Sequence, residues 1–170
     1  MKRILLVSCE GLGNGGVQAV IMSIVRNLHK EYLFDILLFT SEKRYYDEEF
    51  LTYGGQIFRI PRYEGKNQFR KKIDYYVRGH NLYNNVSKIL KEKGPFDVIH
   101  CNDEFENALI LKAAAECGVP IRISHTHIVS RKSNILANLI EKNRRKTIEN
   151  YATVKIGCSV EACESFYADS

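Results

Sequence analysis

The first thirty residues contain the feature that most restricts the fold, because a strand, a glycine-rich loop and a helix follow one another directly. The apolar run over residues 1–7 predicts a buried strand, and residues 8–16 (SCEGLGNGG) form the loop. Residues 17–30 carry apolar side chains at helical spacing, which predicts a helix. This order is typical of a Rossmann-type α/β domain. The first N–H groups of such a helix lack partners and favour an anion, and glycines let that anion approach the backbone closely.

Length and composition indicate an ordinary globular protein. The chain has 170 residues, and the whole of it (residues 1–170) is expected to form a single domain with a sizeable core. No apolar run approaches the roughly 20 residues needed to cross a bilayer. The apolar run near the N-terminus is too short for a signal peptide, which predicts a cytoplasmic protein. The five cysteines are odd in number and include no Cys-x-x-Cys, so reduced thiols are expected rather than disulfides or a zinc site.

The rest of the chain alternates strands with helices. Further strands are predicted over residues 33–40, 56–60, 97–101, 119–124 and 153–157, and further helices over residues 42–53, 67–93, 106–117, 133–151 and 160–168. Six such units predict an α/β fold with a doubly wound, parallel, six-stranded Rossmann-like sheet, helices on both faces and strand order 3-2-1-4-5-6. Ligands of such sheets bind beyond the carboxyl ends of the strands. The loops over residues 10–16, 102–106 and 125–132 are therefore the candidate binding loops.

The glycine loop allows more than one interpretation. Residues 11–16 (GLGNGG) match the G-x-G-x-x-G pattern, so an NAD(P)-dependent oxidoreductase is one alternative. Two features disfavour it: residues 8–10 separate the strand from the first glycine, and Glu42 comes too late after the second strand to bind ribose hydroxyls. A phosphate at the start of the helix is the favoured interpretation. A tight turn with no ligand remains open.

Four segments together resemble a known family. They are residues 15–20 (GGVQAV), 97–102 (DVIHCN), 118–127 (GVPIRISHTH) and 156–159 (IGCS). In this order they are similar to the N-terminal domain of family-4 retaining glycosyltransferases of GT-B architecture, in the form found among capsule and exopolysaccharide enzymes. The resemblance extends over the whole chain.

The resemblance implies two Rossmann-like domains, of which residues 1–170 would be the acceptor-side half. A C-terminal domain absent from this sequence would hold the nucleotide-sugar donor, so this chain is expected to be inactive alone. The implied activity is hexosyl transfer, with retention, to a polysaccharide or a lipid-linked acceptor. The nucleotide-sugar is a substrate, so neither a cofactor nor a metal is expected. A non-catalytic module that binds sugar or lipid is a further alternative.

Specific residues match the motifs of this family. Gly15 and Gly16 match its glycine pair, whose N–H groups would bind the diphosphate of the donor and stabilise the leaving charge. His127 matches the histidine after the fifth strand and is the candidate catalytic residue, near the reacting sugar; a histidine that only orders its own loop is the alternative. His125 would share a face with His127, which could form half of a metal site, but no third ligand is evident.

Acceptor binding is assigned to polar residues that follow the fourth and fifth strands. The candidates are Asn102, Asp103, Glu104 and His125. Short polar side chains at strand ends suit the recognition of sugar hydroxyls, although a plain solvated loop and a structural His125 remain open. Asn102 occupies a position where the family often has a second histidine. His100, in the fourth strand, is interpreted as structural.

A basic stretch precedes the fourth strand. Its candidates for contact with anionic lipid headgroups or a diphosphate-linked lipid acceptor are Arg62, Lys66, Arg70, Lys71 and Lys72. Such contact would place the protein peripherally at the inner face of the membrane, whereas a solvated helix face is the alternative. Nucleic acid is not an expected partner, because no nucleic-acid-binding module is recognisable.

Overall fold

The structure is a computed structural model, and it describes residues 1–8, 10–61, 79–129 and 135–167. The strands are β1 (Lys2–Ser8), β2 (Tyr32–Leu38), β3 (Ile57–Arg59), β4 (Val98–Cys101), β5 (Ile121–Thr126) and β6 (Val154–Gly157). The helices are α1 (Gly16–Leu28), α2 (Asp47–Thr52), α3 (Gly79–Lys93), α4 (Asn107–Glu116), α5 (Ile135–Tyr151) and α6 (Val160–Tyr167), with a 3-10 turn at Glu104–Glu106.

The six strands form one parallel sheet with the order β3-β2-β1-β4-β5-β6. Leu5 of β1 lies between Asp35 of β2 and Ile99 of β4. The chain runs outward from β1 to β3 and then returns to pair β4 with β1. The predicted doubly wound topology is confirmed, and its switch point lies between β1 and β4.

Alternation of side chains along the strands divides the core between the two faces of the sheet. Leu5 and Val7 of β1 pack in a cluster with residues of α3, α4 and α5. Leu6, between them in sequence, packs in a second cluster with residues of α1 and α2. The side chains of Leu5, Leu6 and Val7 are all fully buried. Both faces of the sheet are therefore covered, which explains why the centre of β1 carries four successive apolar side chains at residues 4–7.

A partly buried ion pair lies near the amino ends of the central strands. The side chain of Asp35 is 1% exposed and accepts hydrogen bonds from Arg3 Nε at 2.7 Å and from the backbone N–H of Gln56 at 2.8 Å. The backbone N–H of Arg3 donates to Asp97 Oδ2 at 2.7 Å. These contacts connect β1 to its neighbours at the edge of the sheet opposite the candidate binding loops.

Several local predictions need correction or fall outside the structure. Val20 is one of the apolar residues at helical spacing that predict α1, but its side chain is 39% exposed, because the buried positions Gln18, Ile21, Met22 and Val25 define a stripe that excludes it. The helix predicted over residues 42–53 covers only the range of α2. The basic candidates Arg62, Lys66, Arg70, Lys71 and Lys72 lie outside the described residues.

Candidate functional site

A cavity of about 450 Å³ opens over the carboxyl ends of β1, β4 and β5. It is lined by Ser8, Glu10, Val17, Gln18, Asn102, Asp103, Glu104, Glu106, His127 and Ile128. These residues come from the end of β1, the first turn of α1 and the loops that follow β4 and β5. The cavity therefore lies at the switch point of the sheet, where ligands of open α/β folds bind.

The glycine pair lies beside this cavity, at the start of α1. Gly15 is the N-cap residue and Gly16 is the first helical residue, and both are exposed. No side chain caps the helix start. Val17 and Gln18, the next two residues, line the cavity. The first N–H groups of a helix have no intrahelical acceptors, so this turn presents hydrogen-bond donors and a positive dipole end at the edge of the cavity.

Three histidines lie together at the ends of β4 and β5. His100 pairs in register with Ile123, so His125, two residues further along β5, falls on the same face of the sheet as His100. His100 Nε2 and His125 Nδ1 are 3.1 Å apart and share a hydrogen bond. The rings of His125 and His127 have their centroids 4.0 Å apart. The register of two adjacent strands therefore assembles this cluster.

Burial keeps these imidazoles neutral. The pKa of His100 is lowered to about 4, first by burial and then by the charges of His125 and His127. The pKa of His125 is also lowered to about 4, by burial and by His127, and burial lowers the pKa of His127. A neutral imidazole can accept a hydrogen bond at one nitrogen while donating at the other.

Asn102 connects the first strand, the fourth strand and His127. Its side-chain Nδ2 donates to the carbonyl oxygens of Val7 at 3.2 Å and of His100 at 3.3 Å. Its Oδ1 lies 3.0 Å from His127 Nε2. The asparagine is 4% exposed but still contributes to the wall of the cavity. Its side chain is therefore fixed by the protein on both sides.

Glu104 supports His127 from the other direction. Its Oε1 accepts a hydrogen bond from the backbone N–H of His127 at 3.1 Å, whereas its Oε2 is buried and has no hydrogen-bond partner among the described residues. Burial raises the pKa of the Glu104 carboxyl, and the bond from His127 partly offsets this. The residue has a φ of 50°, a conformation that is uncommon for residues other than glycine. Such backbone strain is often found at functional sites.

The remaining acceptor candidates occupy different positions. Asp103 lines the cavity, and its backbone N–H donates to Asn107 Oδ1 at 2.9 Å. His125 is 8% exposed, does not contribute to the wall of the cavity and bonds His100 instead. His100 is buried within β4, in keeping with its structural interpretation. Acceptor binding by Asp103 and His125 stays a prediction.

Sequence reasoning did not single out four polar residues of the cavity wall: Ser8, Glu10, Gln18 and Glu106. Glu10 and Glu106 lie within loops that were predicted to bind ligands, and Ser8 ends the first strand, so their places in the chain could have identified them. Gln18 is 6% exposed, and it was missed because only apolar residues were assigned to the buried side of the helix.

Metal-binding clusters and membrane-spanning helices are both absent from the described part of the chain. Residues 1–8, 10–61, 79–129 and 135–167 contain no group of three or more His, Cys, Asp or Glu side chains arranged to hold a metal ion. In the same ranges, no helix combines the length and the hydropathy that a membrane span requires.

The fold and the place of the cavity define a Rossmann-like α/β domain with its ligand site at the switch point of the sheet. No protein-family model matches the chain. Over 133 residues the chain is 34% identical to Putative glycosyltransferase EpsF of Bacillus subtilis (strain 168). This match covers 78% of the chain and 32% of EpsF, so the chain spans about a third of the length of that relative.

A solved structure has a similar fold. The crystal structure of Anabaena HepE in complex with UDP and glucose matches 99% of this chain and 41% of HepE, with a TM-score of 0.60 and 11% sequence identity. This likeness confirms the predicted Rossmann-like α/β fold. The description of EpsF agrees with the glycosyltransferase resemblance, and neither comparison favours the oxidoreductase alternative.

Proposed function

We propose that this chain is the acceptor-side domain of a nucleotide-sugar-dependent glycosyltransferase. One observation carries the proposal: the first turn of α1, through Val17 and Gln18, and the ring of His127 border the same cavity at the switch point of the sheet. The likeness to Putative glycosyltransferase EpsF supports it, and so does the fold shared with HepE, whose crystal structure contains UDP and glucose. The proposed reaction moves a hexose to a polysaccharide or a lipid-linked acceptor with retention.

The proposed role of the glycine pair is electrostatic. Breaking the bond between the sugar and the diphosphate places negative charge on the leaving phosphate. Backbone N–H groups at Gly15 and Gly16 would donate to that phosphate, and the positive end of α1 would favour the charge. The exposure of both glycines leaves room for this contact. A second domain, outside this sequence, would hold the rest of the donor.

The proposed role of His127 is contact with a hydroxyl of the reacting sugar. Its imidazole lines the cavity and is neutral at physiological pH, because burial lowers its pKa. Asn102 and Glu104 fix its side chain and its backbone, respectively. In a retaining transfer of this kind, the leaving phosphate can take the proton of the acceptor, so His127 need not act as a general base.

Two further features belong to the same proposal. Residues 62–72, rich in lysine and arginine, would contact anionic lipid headgroups or the diphosphate of a lipid-linked acceptor at the inner face of the membrane. The reaction would require neither a cofactor nor a metal, since the nucleotide-sugar is consumed as a substrate.

The test is transfer of a radiolabelled hexose from nucleotide-sugars by the protein that contains this chain. His127→Ala is expected to lower the turnover by about 100-fold or more, as the loss of a group that contacts the reacting atoms does. His29→Ala is the matched control, because His29 lies at the other end of α1 and packs against Tyr53, with the two ring planes tilted. Unchanged turnover in His127→Ala would remove this residue from the site.

A titration with NADH distinguishes the main alternative. The proposed transferase is expected to give no saturable change in cofactor fluorescence. Tight, saturable NADH binding without sugar transfer would favour an oxidoreductase and contradict the proposal.

A further inference from the structure

The orientation of the Asn102 side chain follows from its partners. One end of the amide contacts two backbone carbonyl oxygens, of Val7 and His100. Carbonyl oxygens only accept hydrogen bonds, so this end must be the NH₂ group. The other end is therefore Oδ1, which only accepts, and it lies 3.0 Å from a ring nitrogen of His127.

This orientation determines the tautomer of His127. A hydrogen bond between Oδ1 and Nε2 requires the proton to be on Nε2, because the amide oxygen has none to give. In a neutral ring, Nδ1 then carries a lone pair. Among the described residues, Nδ1 makes no hydrogen bond, and the ring borders the cavity. His127 therefore offers an acceptor and not a donor at its second nitrogen.

Glu104 adds a second acceptor to the same wall. Its Oε1 accepts from the backbone N–H of His127, and its Oε2 is buried with no hydrogen-bond partner in the part of the chain that the structure describes. A buried carboxylate oxygen without a hydrogen bond is costly, and Glu104 lines the cavity, so a ligand donor would satisfy Oε2 once the carboxyl group turns toward the cavity. Glu104 therefore fixes the backbone of His127, while Asn102 fixes its ring.

We propose that Asn102 is a positioning residue that holds His127 as the Nε2–H tautomer, so that His127 Nδ1 and Glu104 Oε2 together accept hydrogen bonds from the hydroxyl groups of a ligand. The cavity then has two chemically different borders. The start of α1 offers donors, which suit phosphate, and the His127–Glu104 side offers acceptors, which suit a polyol. That the polyol is a sugar rests on the proposed function, whereas the tautomer does not.

The tautomer is measured directly by ¹⁵N NMR of the histidine side chains in the uniformly labelled wild-type chain at neutral pH. We expect a protonated Nε2 and an unprotonated Nδ1 for His127. A protonated Nδ1 would overturn the proposal. This experiment requires no variant and no activity, so it stands even if the protein transfers no sugar.

Two variants test whether Asn102 sets the tautomer. Asn102→Ala is expected to shift the His127 nitrogens toward a mixture of tautomers, and Asn102→Asp to raise the His127 pKa by about one unit or more, since a carboxylate stabilises the imidazolium. Asn27→Ala is the control, because that asparagine lies in α1, outside the histidine cluster, and its amide donates to the carbonyl oxygen of Ser23. Unchanged His127 shifts and pKa in both Asn102 variants would overturn the positioning role.

Glu104→Gln tests the second acceptor. Glutamine keeps one oxygen for the His127 N–H but replaces Oε2 with a donor. In the sugar-transferring protein, we expect the KM for the sugar that occupies the cavity to rise about tenfold, the effect of losing one charge-assisted hydrogen bond. An unchanged KM would overturn the acceptor pair. Absence of transfer in the wild-type protein would instead contradict the proposed function and leave the NMR result intact.

Discussion

The buried histidine cluster predicts that the protein loses stability in mild acid. An imidazole whose pKa is lower in the folded state binds fewer protons there than in the unfolded chain. Its contribution to stability is therefore complete above the unfolded pKa of about 6.5 and declines as the pH falls toward the folded value. For His100 that folded value is about 4, with burial as the main cause.

The size of the loss follows from these two pKa values. At about pH 5 the unfolded imidazole of His100 is nearly all protonated, and the folded one is about one-tenth protonated. Lowering the pH from about 7 to about 5 therefore reduces the free energy of unfolding by about 2 kcal/mol through His100 alone. His125 shares a hydrogen bond with His100, so it adds less than a second full contribution. The raised pKa of Glu104 acts in the opposite direction and offsets part of the loss.

Urea unfolding, followed by circular dichroism at both pH values, measures this loss. Between about pH 7 and about pH 5, the free energy of unfolding of the wild-type chain is expected to fall by about 2 to 4 kcal/mol. In His100→Gln the glutamine cannot take up a proton, so the fall is expected to be about 2 kcal/mol smaller. His29→Gln is the control, since His29 lies outside the cluster, and it should keep the wild-type dependence. An equal pH dependence in wild type and His100→Gln would refute the reasoning.

Two further predictions concern the stability of the sheet. Asp35→Asn should lower the free energy of unfolding by about 3 kcal/mol, because it leaves the cation of Arg3 without its buried carboxylate partner. Urea unfolding at neutral pH measures this loss, and a loss under about 1 kcal/mol would contradict the prediction. Gly55→Ala should be destabilising by about 2 kcal/mol or more, because the added Cβ would lie 1.9 Å from the carbonyl oxygen of Phe34. Gly13→Ala is its control in thermal unfolding, since nothing lies within 4 Å of that position, and equal melting temperatures would refute the steric argument.

The fold could be predicted because its signals are local. Alternation of short apolar runs with amphipathic helices is visible in any window of the sequence, and the handedness of crossovers then restricts the strand order. The cavity loops followed from the same reasoning, since the carboxyl ends of parallel strands meet at one edge. Gly15, Gly16 and His127 accordingly lie in or beside the cavity.

The connections between site residues could not be predicted in the same way. The contact between His100 and His125 depends on the register of β4 against β5, which side-chain packing sets across 25 residues of sequence. The sequence indicates Asn102 only as a candidate for acceptor binding, whereas in the structure its amide fixes His127. The φ of 50° at Glu104 has no sequence signal, because glutamate rarely adopts it.

The central claim is that the first N–H groups of α1 bind a diphosphate, and a pair of variants at Gly16 tests it. Gly16 is the first helical residue, where proline is well tolerated, and the extended Gly15 before it (φ −80°, ψ 172°) is compatible with proline. Gly16→Pro therefore removes one N–H and keeps the helix, whereas Gly16→Ala keeps both, with nothing within 4 Å of the new Cβ.

The decisive measurement is the affinity of the chain for inorganic pyrophosphate, the group common to nucleoside-diphosphate sugars, titrated by NMR of the backbone amides. Gly16→Ala should bind like the wild type, and Gly16→Pro about tenfold or more weakly, as expected for the loss of one charge-assisted hydrogen bond. Equal affinities in the two variants, or shifts confined to amides away from residues 15–18, would contradict the claim.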